Sequence, residues 1–457
     1  MSVPHFHAVV LGAGPAGTGP LVCAHQRGDL ARLLDAGVLL VDRGPSMGHG
    51  TIGRYGINSD TYADTLLECL DRGDARVLER MRPAPITAEI ARYKGGAVPL
   101  RLAAAFLAEL GAALQRILDA HPRSGFRPRT EATALHRQAD GTFRVELQQG
   151  DVRSAVTATH VVSAMGARQH RERTLTSPIV PGVDLSRAAW RAKALLTDDV
   201  LSSAGLQALR DQLLGATHRK VVIIGASHST TSSAWVLLNR TGVAFGPGDI
   251  TILHRGPFRI FYPSREAALA DGYTDFDDDD LCPLTGRVYR LAGLRLDSRD
   301  LAKQWLGVGG AAPEPRVRLF PLDRRGRDNA FDLPALLDEA AVVIPAFGYR
   351  PTTVPLHDAD GERIALMADA GPAPDAPLPP AIAELLSYAS APPLVDTACR
   401  VLDARGAVVP NLCGIGLASG FRLTGALGGE PSFRGQTNGL WLYQNGVGAL
   451  ILDRILA

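Results

Sequence analysis

At 457 residues the chain is too long for one ordinary domain, so two or three compact units are expected. Hydrophobic residues make up 46% and charged residues 21%, the composition of a globular protein with a sizeable core, and a net charge of +1 supplies no global field for nucleic acid or an anionic membrane. The five cysteines (Cys23, Cys69, Cys282, Cys399, Cys413) include no C-x-x-C pair, which argues against a disulfide framework, a zinc site and a dithiol redox centre.

The first residues carry no basic region or cleavage site, and no run reaches the roughly 18 uninterrupted apolar residues of a membrane span, so a cytoplasmic location is expected. His5 and His7 share a face of the first strand but do not make metal-ligand spacing, and no metal is expected. His7 to Leu11 reads as a short buried strand, ended by Gly12-Ala13-Gly14-Pro15-Ala16-Gly17. A helix over 17–34 and a strand over 37–41, closed by Asp42, complete a β-α-β unit. Residues 44–60 read as a polar loop, and 61–78 and 100–118 as helices. A hairpin over 132–147 turns at Asp140-Gly141, and a strand over 160–164 ends at Met165-Gly166.

A second β-α-β follows: strand 220–224, the turn Gly225-Ala226-Ser227-His228-Ser229-Thr230, a helix through Trp235 and Leu238, and strand 250–253 followed by His254 and Arg255. A further strand over 341–344 ends at Ala346-Phe347-Gly348-Tyr349-Arg350-Pro351. The Ala- and Pro-dense stretch 361–393 reads as irregular. A hairpin-like turn at Ala404-Arg405-Gly406, a strand over 411–415, a glycine-rich turn and a helix reaching Ala457 complete the chain.

In the first glycine motif Gly12 permits the tight turn, Gly14 lets the backbone approach a pyrophosphate, and Gly17 lets the helix pack on the strand. Pro15 and Ala16 open the helix whose N–H groups and dipole would face the phosphates. Asp42 is placed to accept both hydroxyls of an adenosine ribose, with Arg43 beside it. In the second motif Ser227 and Thr230 stand where glycines would be, with His228 and Ser229 between them. The cations His254 and Arg255, with Arg259 as a second contact, suit the 2′-phosphate of NADP, so NADPH is favoured over NADH.

Two dinucleotide motifs with Ala164-Met165-Gly166 and Ala346 to Pro351 at strand ends resemble the class B flavoprotein monooxygenases. Gly225, Ser227 and Ser229 match the G-x-S-x-S second motif frequent in that superfamily, and Asn411 to Gly420 resembles its returning strand. The resemblance implies an α/β fold of two Rossmann-like domains, the NADP domain inserted into the FAD domain. The corresponding boundaries are 1–170 for the first part of the FAD domain, 171–214 for a connection, 215–355 for the NAD(P)H domain, and 356–457 for the return and C-terminal helix. It also implies cofactor contacts at Ala132, Ala164, Gly166, Gly348, Tyr349, Gly416 and Gln436, the last in the segment 434–438 that precedes the final helix.

The implied chemistry uses FAD, NADPH and molecular oxygen, with one oxygen atom passing from flavin C4a to a small nucleophilic substrate such as an amine. Arg54, Tyr55, Asn58 and Ser59 lie in the loop where superfamily members place residues over the flavin, and are the catalytic candidates. The Baeyer-Villiger fingerprint F-x-G-x-x-x-H-x-x-x-W is absent from Pro181 to Trp190, and the lack of C-x-x-C disfavours a thiol reductase. A flavin reductase, oxidase or dehydrogenase without oxygen transfer is the alternative, and assembly into a homo-oligomer stays open. Asp277 to Asp280 reads as a solvated loop, while 258–263 and 282–290 suit either a pocket wall or core packing.

Overall fold

The computed structural model describes residues 3–74, 76–322, 332–373, 378–388, 391–433, 435 and 439–457. The fold is mixed α/β, built on a ten-stranded and a four-stranded sheet. Strands of the larger sheet come from His5–Leu11 through Val152–Ser163 and again from Leu356–His357 through Val408–Gly414. The smaller sheet is drawn from Val221–Ile224 through Val342–Pro345, so its chain is inserted between the two parts of the larger one.

The twelve-residue strand Val152–Ser163 organises the larger sheet. One edge pairs in parallel with His5–Leu11. On the other edge Val152–Ala158 pairs antiparallel with Phe143–Gln149, and Val161–Ser163 pairs in parallel with Leu412–Gly414. His5–Leu11 then pairs with Val38–Val41, whose outer neighbour is Gly125–Arg127. The four strands of the smaller sheet are all parallel. Val221 and Ile223 pack into one apolar cluster while Val222 and Ile224 pack into another, so both faces are covered, as a parallel sheet requires.

The expected β-α-β units, the long helix (now Leu100–Ala120) and both hairpins are present. Several elements differ. The first helix is Pro15–Arg27, stopped by Gly28 in the left-handed conformation at φ 80°, and Leu30–Ala36 forms a separate helix. The expected helix over 61–78 is reduced to Ala63–Leu67 and a 3-10 turn at Glu68–Leu70, with Gly73 at φ 80°. Asn58–Tyr62, read as loop, instead pairs antiparallel with Ala97–Pro99. The stretch 361–393 contains the strand Arg363–Ile364 and the helices Met367–Ala370 and Pro380–Tyr388. Finally, the closing helix is broken at Asn445 (φ −128°, ψ −104°) into Leu440–Gln444 and Gly446–Leu456.

Candidate active site

The first glycine turn is set by backbone geometry. Gly12 has φ +98°, and a Cβ there would meet the carbonyl of Ala164; a Cβ on Gly17 would overlap the carbonyl oxygen of Gly12. Gly14 caps the Pro15–Arg27 helix without a side-chain hydrogen bond, which leaves the first-turn N–H groups open for an anion. Gly416 rests against Ala16, because a Cβ on it would stand 3.5 Å from the Ala16 Cβ. The motif glycines, Pro15, Ala16, Ala164 and Gly416 therefore gather at one end of the central strands. The Asp42 carboxylate fixes this corner by accepting from the Ala13 N–H at 2.7 Å and the Gly44 N–H at 2.6 Å. Arg43 is exposed beside it, and Ala132 is buried in the strand Glu131–Arg137. Gly166, at φ +73°, ends the neighbouring connection, and its carbonyl accepts from the Thr352 N–H at 2.9 Å.

The second turn is tighter around its own side chains. Gly225 has φ +147°, and a Cβ there would stand 2.6 Å from the Thr230 hydroxyl and 3.0 Å from the Ala346 carbonyl oxygen. Thr230 is wholly buried and packs the helix on the strand, the task a glycine performs in the first motif. Ser227 is the N-cap of His228–Asn239 and makes no side-chain cap bond, so this helix start is open as well.

A cavity of about 1010 Å³ opens at that helix start. Ser227, His228 and Ser229 line it, together with Gly348 and Tyr349 from just beyond the strand Val342–Pro345 and Leu417, Ala418 and Gly420 from the turn beyond Gly416. The cavity thus joins the second turn to the segment beyond Gly416, and Gly416 in turn rests against Ala16 of the first. The His228 Nε2 is 3.3 Å from the Asp60 carboxylate, and burial holds its imidazole below the ordinary pKa of 6.5 despite that acid, with Arg295 adding to the effect.

The four catalytic candidates separate into two groups. Asn58 and Ser59 line the cavity, but the Asn58 amide donates to Asp297 at 2.7 Å and the Ser59 hydroxyl accepts from the Thr61 N–H at 2.9 Å. Arg54 and Tyr55 are absent from the wall. The Arg54 guanidinium is ion-paired to Asp198, and the Tyr55 hydroxyl donates to the other oxygen of that carboxylate at 2.6 Å. The Tyr349 hydroxyl reaches the same oxygen at 3.5 Å. Arg54 and Tyr55 brace Tyr349 from behind rather than face the cavity, because Asp198 captures both polar ends.

Strand-end cations also have other partners. Arg255 donates from Nε to the Ile179 carbonyl at 3.2 Å and from Nη2 to the Pro178 carbonyl at 2.5 Å, leaving only its Nη1 side for a phosphate. His254 Nδ1 is bonded to the Gly256 carbonyl at 2.9 Å, and the Arg259 guanidinium lies 5.7 Å from the Tyr289 ring centre. Gln436, like Arg434, Thr437 and Asn438, lies outside the described residues.

Further features of the site are set by contacts distant in the sequence. Gly48 and Gly50 fold over the first turn: the Gly48 N–H donates to the Ala13 carbonyl at 2.7 Å, and a Cβ on Gly14 would sit 3.3 Å from Gly50. The loop 282–295 supplies Arg287, Arg290 and Arg295 to the cavity wall, so this stretch is wall and not core packing alone. Glu430, only 3% exposed, accepts from the backbone N–H groups of Leu291 and Ala292 and pins that loop. Asp280 is likewise buried, not solvated, and accepts from the hydroxyls of Tyr289 and Ser432. Only the glycines carried a local signal, since the loop partners lie more than a hundred residues away.

No family model matches the chain. A curated relative, the CMP-5′-(3-aminopropyl)phosphonate hydroxylase of Streptomyces rubellomurinus, is 31% identical over 472 residues, covering 99% of this chain and 98% of the relative. Among solved structures, the FAD-bound cadaverine monooxygenase of desferrioxamine biosynthesis from Erwinia amylovora superposes with a TM-score of 0.56 at 13% identity, over 100% of this chain and 95% of its own. The ornithine N-hydroxylase of Kutzneria sp. 744, with reduced FAD, NADP+ and L-ornithine, gives a TM-score of 0.51 at 15% identity over 99% of both chains. These two structural likenesses establish a shared fold.

Proposed function

The chain belongs to the class B-like flavoprotein monooxygenase superfamily, and from that premise we propose that it is an FAD- and NADPH-dependent N-hydroxylase of a primary amine. The net reaction is R–NH2 + O2 + NADPH + H+ → R–NHOH + NADP+ + H2O. The observation that carries this reading is a cavity with the second helix start, Ser227–Ser229, in its wall and the segment beyond Gly416 beside them, where Gly416 abuts Ala16 at the first helix start. The full-length likeness to an amine-bearing phosphonate's hydroxylase favours an amine nitrogen as the acceptor.

FAD is assigned to the segments 1–170 and 356–457. The open N–H groups after Gly14 would take its pyrophosphate, and the carboxylate of Asp42, already orienting Ala13 and Gly44, would present its remaining lone pairs to a ribose. NADPH is assigned to 215–355, with its pyrophosphate at Ser227–Thr230 and the free side of Arg255 near the strand end. Bound flavin supplies the redox chemistry; the protein positions it, shields the cavity and holds the amine. His228, beside Asp60, lines the cavity that the amine would enter, and the amine must be unprotonated there to act as a nucleophile.

The test uses purified protein loaded with FAD. Anaerobic NADPH should bleach the flavin, and turnover of CMP-5′-(3-aminopropyl)phosphonate under 18O2 should give a hydroxylamine carrying one labelled atom. NADPH oxidation that yields peroxide and no labelled product with any amine would instead support the reductase or oxidase reading.

A further inference from the structure

The cavity contains cations that its assigned cofactors do not use. Arg287, Arg290, Arg295 and Arg350 all line it, and among the described residues none of the four is ion-paired to a carboxylate. This contrasts with Arg54, Arg265, Arg316 and Arg400, each held by an acid elsewhere on the molecule. Arg290 has a structural duty, donating to the Leu427 carbonyl at 2.9 Å. Arg295 donates to the Arg290 carbonyl, and its guanidinium lies 4.6 Å from the centre of the Phe261 ring. Arg287 is exposed at the cavity wall, and no side-chain hydrogen bond or ion pair ties it down among the described residues.

Two further facts make this a built site rather than a loose basic patch. The backbone presenting the arginines is clamped at both ends to the segment 427–432, through Glu430 to Leu291 and Ala292 and through Asp280 to Ser432. Burial also holds the Arg295 guanidinium below its ordinary pKa, while Asp60, Tyr62 and Glu430 favour its charge and Arg287, the smallest influence, opposes it. Of these groups, Glu430 is already engaged by amides and Asp60 faces His228. Two guanidinium groups lining one cavity without a carboxylate partner suit an anion that enters it. With the pyrophosphate of NADPH assigned to the Ser227 helix start, the arginine pair is left for a different anion.

We propose that Arg287 and Arg295 form the specificity subsite of the cavity, where they take a phosphonate or phosphate group on the tail of the amine substrate. A planar guanidinium fork matches the oxygen spacing of such a group, and the clamp at Glu430 holds the fork without further reorganisation. The inference rests on the monooxygenase reading for the identity of the amine, but the anion subsite is measurable by binding alone.

The experiment titrates FAD-loaded protein with 3-aminopropylphosphonate, its near-isostere O-phosphoethanolamine and the neutral-tailed propylamine, reading binding by calorimetry and hydroxylamine formation by mass spectrometry. Preference for both anionic amines over propylamine is expected, and comparison of the two distinguishes the phosphonate from the phosphate ester. Arg287→Gln should raise Kd and KM for the anionic amines about tenfold, the scale of one lost charge-assisted bond. Arg287→Lys should restore part of the loss, because charge without the fork remains. Arg295→Gln should act in the same direction, with its fold checked by circular dichroism. Equal binding of all three amines, or an Arg287→Gln effect confined to KM for NADPH, would overturn the subsite. Anionic amines that bind through Arg287, with no hydroxylated product from them or from CMP-5′-(3-aminopropyl)phosphonate, would uphold the subsite and overturn the monooxygenase reading.

Discussion

Glu430 grips the backbone N–H of Leu291 with both carboxylate oxygens, each at 3.0 Å, and one of those oxygens also accepts from Ala292 at 2.8 Å. A buried acid is thereby used as a fastener between two loops that are 139 residues apart in the chain. Glu430→Ala leaves those amides unsatisfied and should cost about 2 kcal/mol, with Glu430→Gln losing less because one oxygen remains. Urea unfolding midpoints measure the loss. The same variants should weaken binding of an anionic amine, since the arginine loop is no longer fixed; unchanged affinity would show that the loop holds itself.

Flavin retention should depend on Gly17 far more than on Gly28. A Cβ at position 17 overlaps the Gly12 carbonyl oxygen and stands 3.3 Å from the Ala164 Cβ, so Gly17→Ala forces the helix off the strand. Gly28 has φ +80° but nothing within 4 Å, so Gly28→Ala meets only the left-handed backbone penalty, about 1 kcal/mol. The ratio of flavin to protein absorbance after purification should collapse for the first and persist for the second.

Arg255→Ala should act first on stability. Its guanidinium holds the carbonyls of Pro178 and Ile179, and their loss frees the connection that packs beneath the smaller sheet. The preference for NADPH over NADH should shift by less than about tenfold, since only one side of the group faces outward. A collapse of that preference with no change in melting temperature would make the 2′-phosphate its principal partner.

The protein should lose stability in mild acid through His25. This residue is 2% exposed, its Nδ1 has no partner among the described residues, and burial keeps its pKa below 6.5 against the opposing pull of the Arg72 backbone and Asp74. Below pH 6.5 the unfolded imidazole binds a proton that the folded one refuses, so stability falls as pH drops from that value toward the lower folded pKa. Melting temperature should therefore decline between about pH 7 and pH 5, and His25→Gln should flatten the slope. An unaltered slope would place the proton uptake elsewhere, at His160 and His228, whose pKa values burial also lowers.

The parts of the fold legible in the sequence are those written in neighbouring residues. The glycines of the first turn, the Asp140-Gly141 hairpin and the all-apolar strands Val38–Val41 and Val221–Ile224 each carry their instruction within a few positions. The failures have long-range causes. Asn58 to Tyr62 lacks strand composition and becomes a strand because Ala97 to Pro99 lies beside it. The place of Arg255 at a strand end suggests a phosphate contact, but gives no hint of the Ile179 carbonyl, 76 residues earlier, that also engages its guanidinium. The cavity's arginine wall was visible only as a stretch of mixed character, because its meaning depends on Glu430.

The contact between the first helix and the last also constrains the order of assembly. Gly19 and Gly448 both abut the carbonyl of Tyr443, and Leu412–Gly414 completes the edge of the Val152–Ser163 strand. The larger sheet, begun by residue 5, gains its Leu412–Gly414 strand and the packing of Tyr443 on its first helix only after the inserted unit. The smaller parallel sheet has all its strands by residue 345. During synthesis the inserted unit can therefore finish folding while its host is still half-built, with one edge of the Val152–Ser163 strand waiting for its partner.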